Sequence, residues 1–160
     1  MAHPSVADVL ALLDARYPPA LAADWDAIGL ACGDPEASVR RILLAVDPVR
    51  PVVQEAIDVQ ADLLVTHHPL FLRPVHSVAA TSAKGRVVHD LIGHGIALIC
   101  AHTNADHATG GVSDALAAAL GLQGLRPLEP LADPVTGTGR VGTLPARVSL
   151  EQFAEHVAAV

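Results

Sequence analysis

A chain of 160 residues is long enough for one core and too short for a multidomain enzyme. With 51% hydrophobic and 17% charged residues it is expected to fold, and with 2% aromatic residues it has almost nothing from which to build a stacking platform for single-stranded nucleic acid. The net charge is −7, and one lysine, Lys84, with nine scattered arginines forms no basic run, which excludes the usual electrostatic footprint of a nucleic-acid binder.

Taken in chain order, Ser5 and Asp8 resemble a capping box, and Val6, Val9, Leu10, Leu12 and Leu13 recur at helical spacing until Pro18-Pro19 ends the pattern. A short strand is expected over residues 28–32. A fully buried strand is expected over 41–46, and the two are expected to pair antiparallel. Val52, Val53, Ala56 and Ile57 mark a helix, residues 63–65 a buried strand, and Val87, Val88, Leu91 and Ile92 a helix before Gly93 and Gly95. Residues 96–101 predict a third buried strand, and 113–120 a helix stopped by Gly121. From there Pro127, Pro130, Pro134 and the glycines at 137, 139 and 142 break any regular pattern until a helix begins near Ser149. Strands alternating with helices demand parallel pairing and right-handed crossovers, so the expected fold is α/β with a mixed, mostly parallel sheet of the α-β-(β-α)3 type. Residues 1–122 are read as one α/β repeat. Residues 123–160 are read as a Pro/Gly-rich connection leading into a second repeat, and the chain is expected to be the front part of something longer.

Cys32 and Cys100 lie far apart among apolar neighbours, which fits reduced, buried thiols better than a disulfide. The start MAHPSVADVL has no basic and apolar signal pattern, and the run 96–101 is far too short to span a bilayer, so a soluble, cytoplasmic protein without a membrane partner is expected.

Ligands of open α/β sheets gather at the carboxyl ends of strands, and here those positions hold metal-ligand residue types. Asp47 follows the strand ending at Val46, His67 and His68 follow Val65 and Thr66, and His102, Asp106 and His107 follow Ala101. Mixed imidazole and carboxylate donors suit Zn, Mn, Fe, Co or Ni rather than Ca or Mg. A carboxylate such as Asp106 can bridge two ions while His67 and His68 serve different ones, an arrangement suited to hydrolysis. Asp47 is read equally as a loop cap and as a residue orienting a ligand. His3, His76, His89, His94 and His156 have no such placement and are read as ordinary surface or hydrogen-bonded histidines. Residues 110–114 read as a glycine turn with Ser113 as helix cap, or as a phosphate-binding helix start. Trp25 either lines a pocket or staples the first helix to the sheet.

Five ordered segments resemble one family. Trp25-Asp26-Ala27-Ile28-Gly29-Leu30 is similar to its WDNVGL segment, residues 62–71 (DLLVTHHPLF) to its DLIITHHPLIF strand and loop, and residues 101–106 (AHTNAD) to its AHTNLD motif. Residues 110–114 with Leu120-Gly121-Leu122 resemble its GGVND and LGL stretches, and residues 139–142 its GRIG turn. The family is the YbgI-like, or Nif-three-like, dinuclear-metal group, whose members are labelled GTP cyclohydrolase 1 type 2 homologues. Ala27 and Ser113 stand where Asn is usual, and Ala105 where Leu is.

The resemblance implies that His67, His68 and Asp106 ligate two divalent ions (Zn, Fe or Mn), with His102 beside them in a catalytic position. It also implies two intertwined repeats, assembled as a toroidal homohexamer. Further ligands, a His and a Glu, would come from the second repeat. No such motif follows Asp106, so this chain alone is expected to carry an incomplete centre. The function so implied is a metal-dependent hydrolase acting on a nucleotide or other phosphate-containing small molecule. The competing reading is a non-catalytic, metal-binding, ring-forming scaffold.

Overall fold

The computed structural model describes residues 3–160, which divide into two compact units, the first ending at Asn104 and the second spanning residues 105–160. In the first, helix α1 (Val6–Arg16) opens on the anticipated capping box: the Ser5 Oγ accepts from the Asp8 N–H at 3.1 Å, and the Asp8 carboxylate accepts from the Ser5 N–H at 2.8 Å. Pro18 and Pro19 end it in a single 3₁₀ turn (Pro19–Leu21). Strands β1 (Gly29–Cys32), β2 (Ile42–Ala45), β3 (Leu63–Thr66) and β4 (Ala97–Cys100) then alternate, after β2, with helices α2 (Arg50–Asp58) and α3 (Ala83–Gly93).

These strands form one sheet in the order β1-β4-β3-β2, with β2, β3 and β4 parallel and β1 antiparallel to β4. The fold is therefore α/β with a mostly parallel sheet. The expected antiparallel pair of the first two strands does not form: β1 pairs with β4, setting Gly29 opposite Cys100, and β2 pairs with β3, setting Ile42 opposite Leu63. The reason lies in the two inner strands, which are apolar on both faces and need cover on both. Alternation sends Leu64 and Leu98 into a core with Val53, Ala56, Val87 and Leu91, while Leu63, Ala97 and Ile99 pack with Val6 and Val39 on the other face. With β3 and β4 central, β1 and β2 are left to the edges. The expectation of a fully buried second strand fails for the same reason: Leu43 and Ala45 pack on the α2/α3 side, while Ile42 and Leu44 remain exposed.

In the second unit, helix α5 (Val112–Ala119) is followed by strands β5 (Gln123–Arg126), β6 (Glu129–Pro130), β7 (Gly137–Thr138) and β8 (Val141–Thr143). β5 pairs with β8 and β6 with β7, both antiparallel, where the sequence pattern predicts no regular structure. The ladders are too short for periodicity to register, and Pro130 sits in a two-residue strand that loses little by lacking an N–H. The helix expected at Ser149 is present as the last helix (Leu150–Ala159), with Ser149 and Gln152 closing a second capping box. Between the two units the chain passes through a one-turn helix, α4 (Thr103–His107), and the last helix is accordingly α6. No helix among the described residues is long and apolar enough to cross a membrane.

Candidate metal centre

Parallel pairing puts the carboxyl ends of β3 and β4 at the same edge of the sheet, with Thr66 opposite Cys100. One residue further on, the His67 ring meets the Ala101 carbonyl, Nδ1 to oxygen 3.1 Å. The backbone N–H groups of His67 and His68 extend the ladder onto Ala45 and Val46, which brings Asp47 level with His68. His102 follows β4 by two residues. The three imidazoles converge: ring centroids are 5.1 Å apart for His67 and His68, 5.1 Å for His67 and His102, and 5.5 Å for His68 and His102. One ring nitrogen of each lies within 4.8 Å of the others.

The hydrogen bonds fix which nitrogen that can be. Nδ1 of His67 faces a carbonyl oxygen, Nδ1 of His68 the Asp47 carboxylate at 2.8 Å, and Nδ1 of His102 the Asp26 carboxylate at 2.9 Å. Such oxygens only accept, so each Nδ1 carries the proton and donates it, and in the neutral ring Nε2 then holds the lone pair. The three rings thus bring one nitrogen each to a common point. Such a donor set could hold a metal ion, with the oxygen partners orienting the rings.

Asp26 is the most elaborate of these supports. Its side chain is 1% exposed and accepts from His102 Nδ1, from the Thr103 N–H at 3.0 Å, from the Thr103 hydroxyl, and from the Ala27 N–H at 2.7 Å. Burial pushes the carboxyl up, but the hydrogen bonds from Thr103, His102 and Ala27 together outweigh it and hold it below the ordinary range. The Thr103 hydroxyl in turn accepts from the Ala23 N–H, and the Asn104 side chain accepts from the His102 N–H and donates to the Tyr17 carbonyl. Nothing in the sequence pattern gives Asp26, Thr103 or Asn104 this role, because the partners of Asp26 lie 76 and 77 residues away. Cys100 donates its thiol to the His67 carbonyl at 3.2 Å, and burial together with the nearby Asp26 charge pushes that thiol up to about 12, so at neutral pH it is a protonated donor.

Asp47, read two ways from sequence, orients His68 across an exposed contact. Asp106, half-buried, lies on α4 in the second unit. His107, one of the ligand-type residues that follow Ala101, is buried within that unit and bonds through Nε2 to the Thr138 hydroxyl at 3.1 Å. Ser113 is not a cap: Gly111 holds that position, and Asp114 accepts the Gly110 N–H at 2.5 Å. A carboxylate there, itself paired with Arg140, argues against an anion site at that helix start.

Comparison with known proteins follows the same lines. The model of the Duf34/NIF3 (NGG1p interacting factor 3) family matches residues 4–160. A GTP cyclohydrolase 1 type 2 homolog of Streptomyces coelicolor is 51% identical over 158 residues, covering 97% of this chain and 55% of that protein. Among solved structures, a hypothetical protein of Staphylococcus aureus superposes with TM-score 0.91 at 27% identity, covering 98% of this chain and 64% of its own. Reduced HcgD of Methanocaldococcus jannaschii superposes with TM-score 0.81 at 31% identity, covering 97% and 59%. The chain thus spans about half the length of the Streptomyces relative.

Proposed function

This chain belongs to the Duf34/NIF3 family, and on that premise we propose that it carries the strand-end half of a divalent-metal centre in a hydrolase of the GTP cyclohydrolase 1 type 2 kind. The observation that carries the proposal is the convergence of His67, His68 and His102, each with Nδ1 held by an oxygen acceptor. His67 and His68 would be ligands with Asp106, as the family resemblance implies, for two ions of the Zn, Fe or Mn type. When bound, such ions supply Lewis-acid polarisation of a substrate oxygen and acidify water.

The remaining work falls to the chain's own groups. Asp26 accepts the Nδ1 proton of His102 and so presents Nε2 as the basic atom at the site; Asp47 does the same for His68. The rings are held before substrate arrives, which removes reorganisation from the reaction. The substrate class consistent with the relatives' names is a nucleotide or another phosphate-bearing small molecule.

The test is metal analysis of the purified chain coupled to a turnover assay with GTP on a protein that also carries the second half of the centre. Bound metal that disappears in His67→Ala, together with turnover that disappears with it, is the expected result. Bound metal without turnover favours the non-catalytic scaffold, and a chain that takes up no metal sinks both readings.

A further inference from the structure

The only tryptophan of the chain stands beside the histidine cluster, and the metal-centre reading gives it no task. The Trp25 and His102 rings are 6.0 Å apart, edge to face at 76°. The indole is nevertheless 60% exposed, so it does not serve as a staple between α1 and the sheet. It lines a cavity of about 500 Å3 together with Phe71, Arg73, Pro74 and Val75. Asp26, which fixes His102, also borders this cavity, and as the next residue in the chain it ties the Trp25 backbone to the same hydrogen-bond network. The volume is in the range of small-molecule sites.

An exposed aromatic ring set against a ligand-type histidine, in a cavity with an aromatic and apolar wall and one guanidinium, suits a specific chemistry. An indole stacks on flat heteroaromatic rings whatever their hydrogen-bonding edges, and an arginine meets an anionic group. We propose that Trp25 is the platform on which the planar bicyclic base of a nucleotide substrate stacks, with Arg73 receiving its anionic part, so that the base lies next to His102. The proposal rests on the metal-hydrolase reading for the meaning of the neighbouring site. It specifies which part of the substrate is recognised, and by which residue. One ring suffices for one mononucleotide, so the exclusion of a nucleic-acid strand is untouched.

Trp25 fluorescence tests this directly, since no other tryptophan contributes. Titration with GTP, corrected for nucleotide absorbance, is expected to quench it saturably, while ribose 5-phosphate and inorganic tripolyphosphate do not. By equilibrium dialysis, Trp25→Ala is expected to weaken GTP binding about tenfold, Trp25→Phe to retain most of it, and Arg73→Ala to bring GTP down to the affinity of guanosine. Metal content should be unchanged in all three. The proposal is overturned if GTP gives no saturable quenching, if ribose 5-phosphate quenches as well as GTP does, or if Trp25→Ala binds GTP as tightly as the parent. Metal content separates the two claims. A metal-free chain that still shows base-dependent quenching keeps the stacking platform and removes the metal centre; a metal-loaded chain indifferent to Trp25→Ala does the reverse.

Discussion

At Asp26 burial and hydrogen bonding oppose each other, and four donated hydrogen bonds prevail. The carboxylate is therefore charged where it meets His102, and this charge holds the imidazole proton on Nδ1. Asp26→Asn keeps the shape but offers His102 an amide that can turn a donor toward it. Metal affinity is expected to fall about 10–100-fold, the usual effect of losing a carboxylate that orients a histidine at a metal centre, with the far-ultraviolet dichroism unchanged; competition with a chelating dye measures it. His67→Ala removes a donor outright and should abolish tight binding, read as metal content after gel filtration. Unaltered stoichiometry there would take His67 out of the ligand set.

Helix termini and turns show how single side chains secure whole elements. Arg140, whose side chain is 3% exposed, donates to the Gly137, Gly139 and Ala108 carbonyls and to both oxygens of Asp114, and so ties the start of α5 to β7 and the turn before β8. The Arg140 hydrogen bond first, then the Gly110 N–H, hold the Asp114 carboxyl below its usual range against the effect of burial. A carboxyl with a depressed folded-state pKa binds fewer protons folded than unfolded, so its contribution is present above the unfolded value of about 4 and is lost as pH falls through the folded value. Asp114→Asn is expected to cost about 3 kcal/mol at neutral pH, because it strands a buried guanidinium. It should also flatten the acid limb of the stability profile. Denaturant melts of both proteins from neutral pH to about pH 3 check the magnitude and the sign together. At the end of α2, Gln60 adopts φ 54°, a left-handed position that glycine takes without strain. Gln60→Gly should stabilise the chain by about 1 kcal/mol, and a thermal midpoint that falls instead would show that the Gln60 side chain holds something the backbone strain conceals.

Across the whole molecule the sheet is covered unequally. The α2/α3 side reaches β2 through Leu43 and Ala45, whereas the α1 side stops at β3 and leaves Ile42, Leu44 and Val46 43%, 73% and 58% exposed, on an edge strand. An alternating apolar row on an open edge promotes association. Leu44→Lys should raise the concentration at which the chain stays monodisperse, as seen by sedimentation velocity, at little cost in thermal stability. An unchanged sedimentation profile would place the association surface elsewhere.

Most of what periodicity and local chemistry control was legible in the sequence: both capping boxes' helices, the buried strands over 63–66 and 97–100, and the histidines that follow them, since each depends on residues within one turn or one strand. The short ladders over residues 123–143 were not legible, because two to four residues of strand carry no period to read. Strand partners were beyond reach as well. Residues 29–32 and 42–45 can pair locally, and only the need of the two central strands for cover on both faces sends them to opposite edges. The same limit applies at the site. His67 and His68 could be named from their position after a strand, but their ring orientations depend on Ala101 and Asp47, and that of His102 on Asp26. Those are hydrogen bonds between segments 21 to 76 residues apart, which no local pattern encodes and which exist only once β1, β4, β3 and β2 lie side by side.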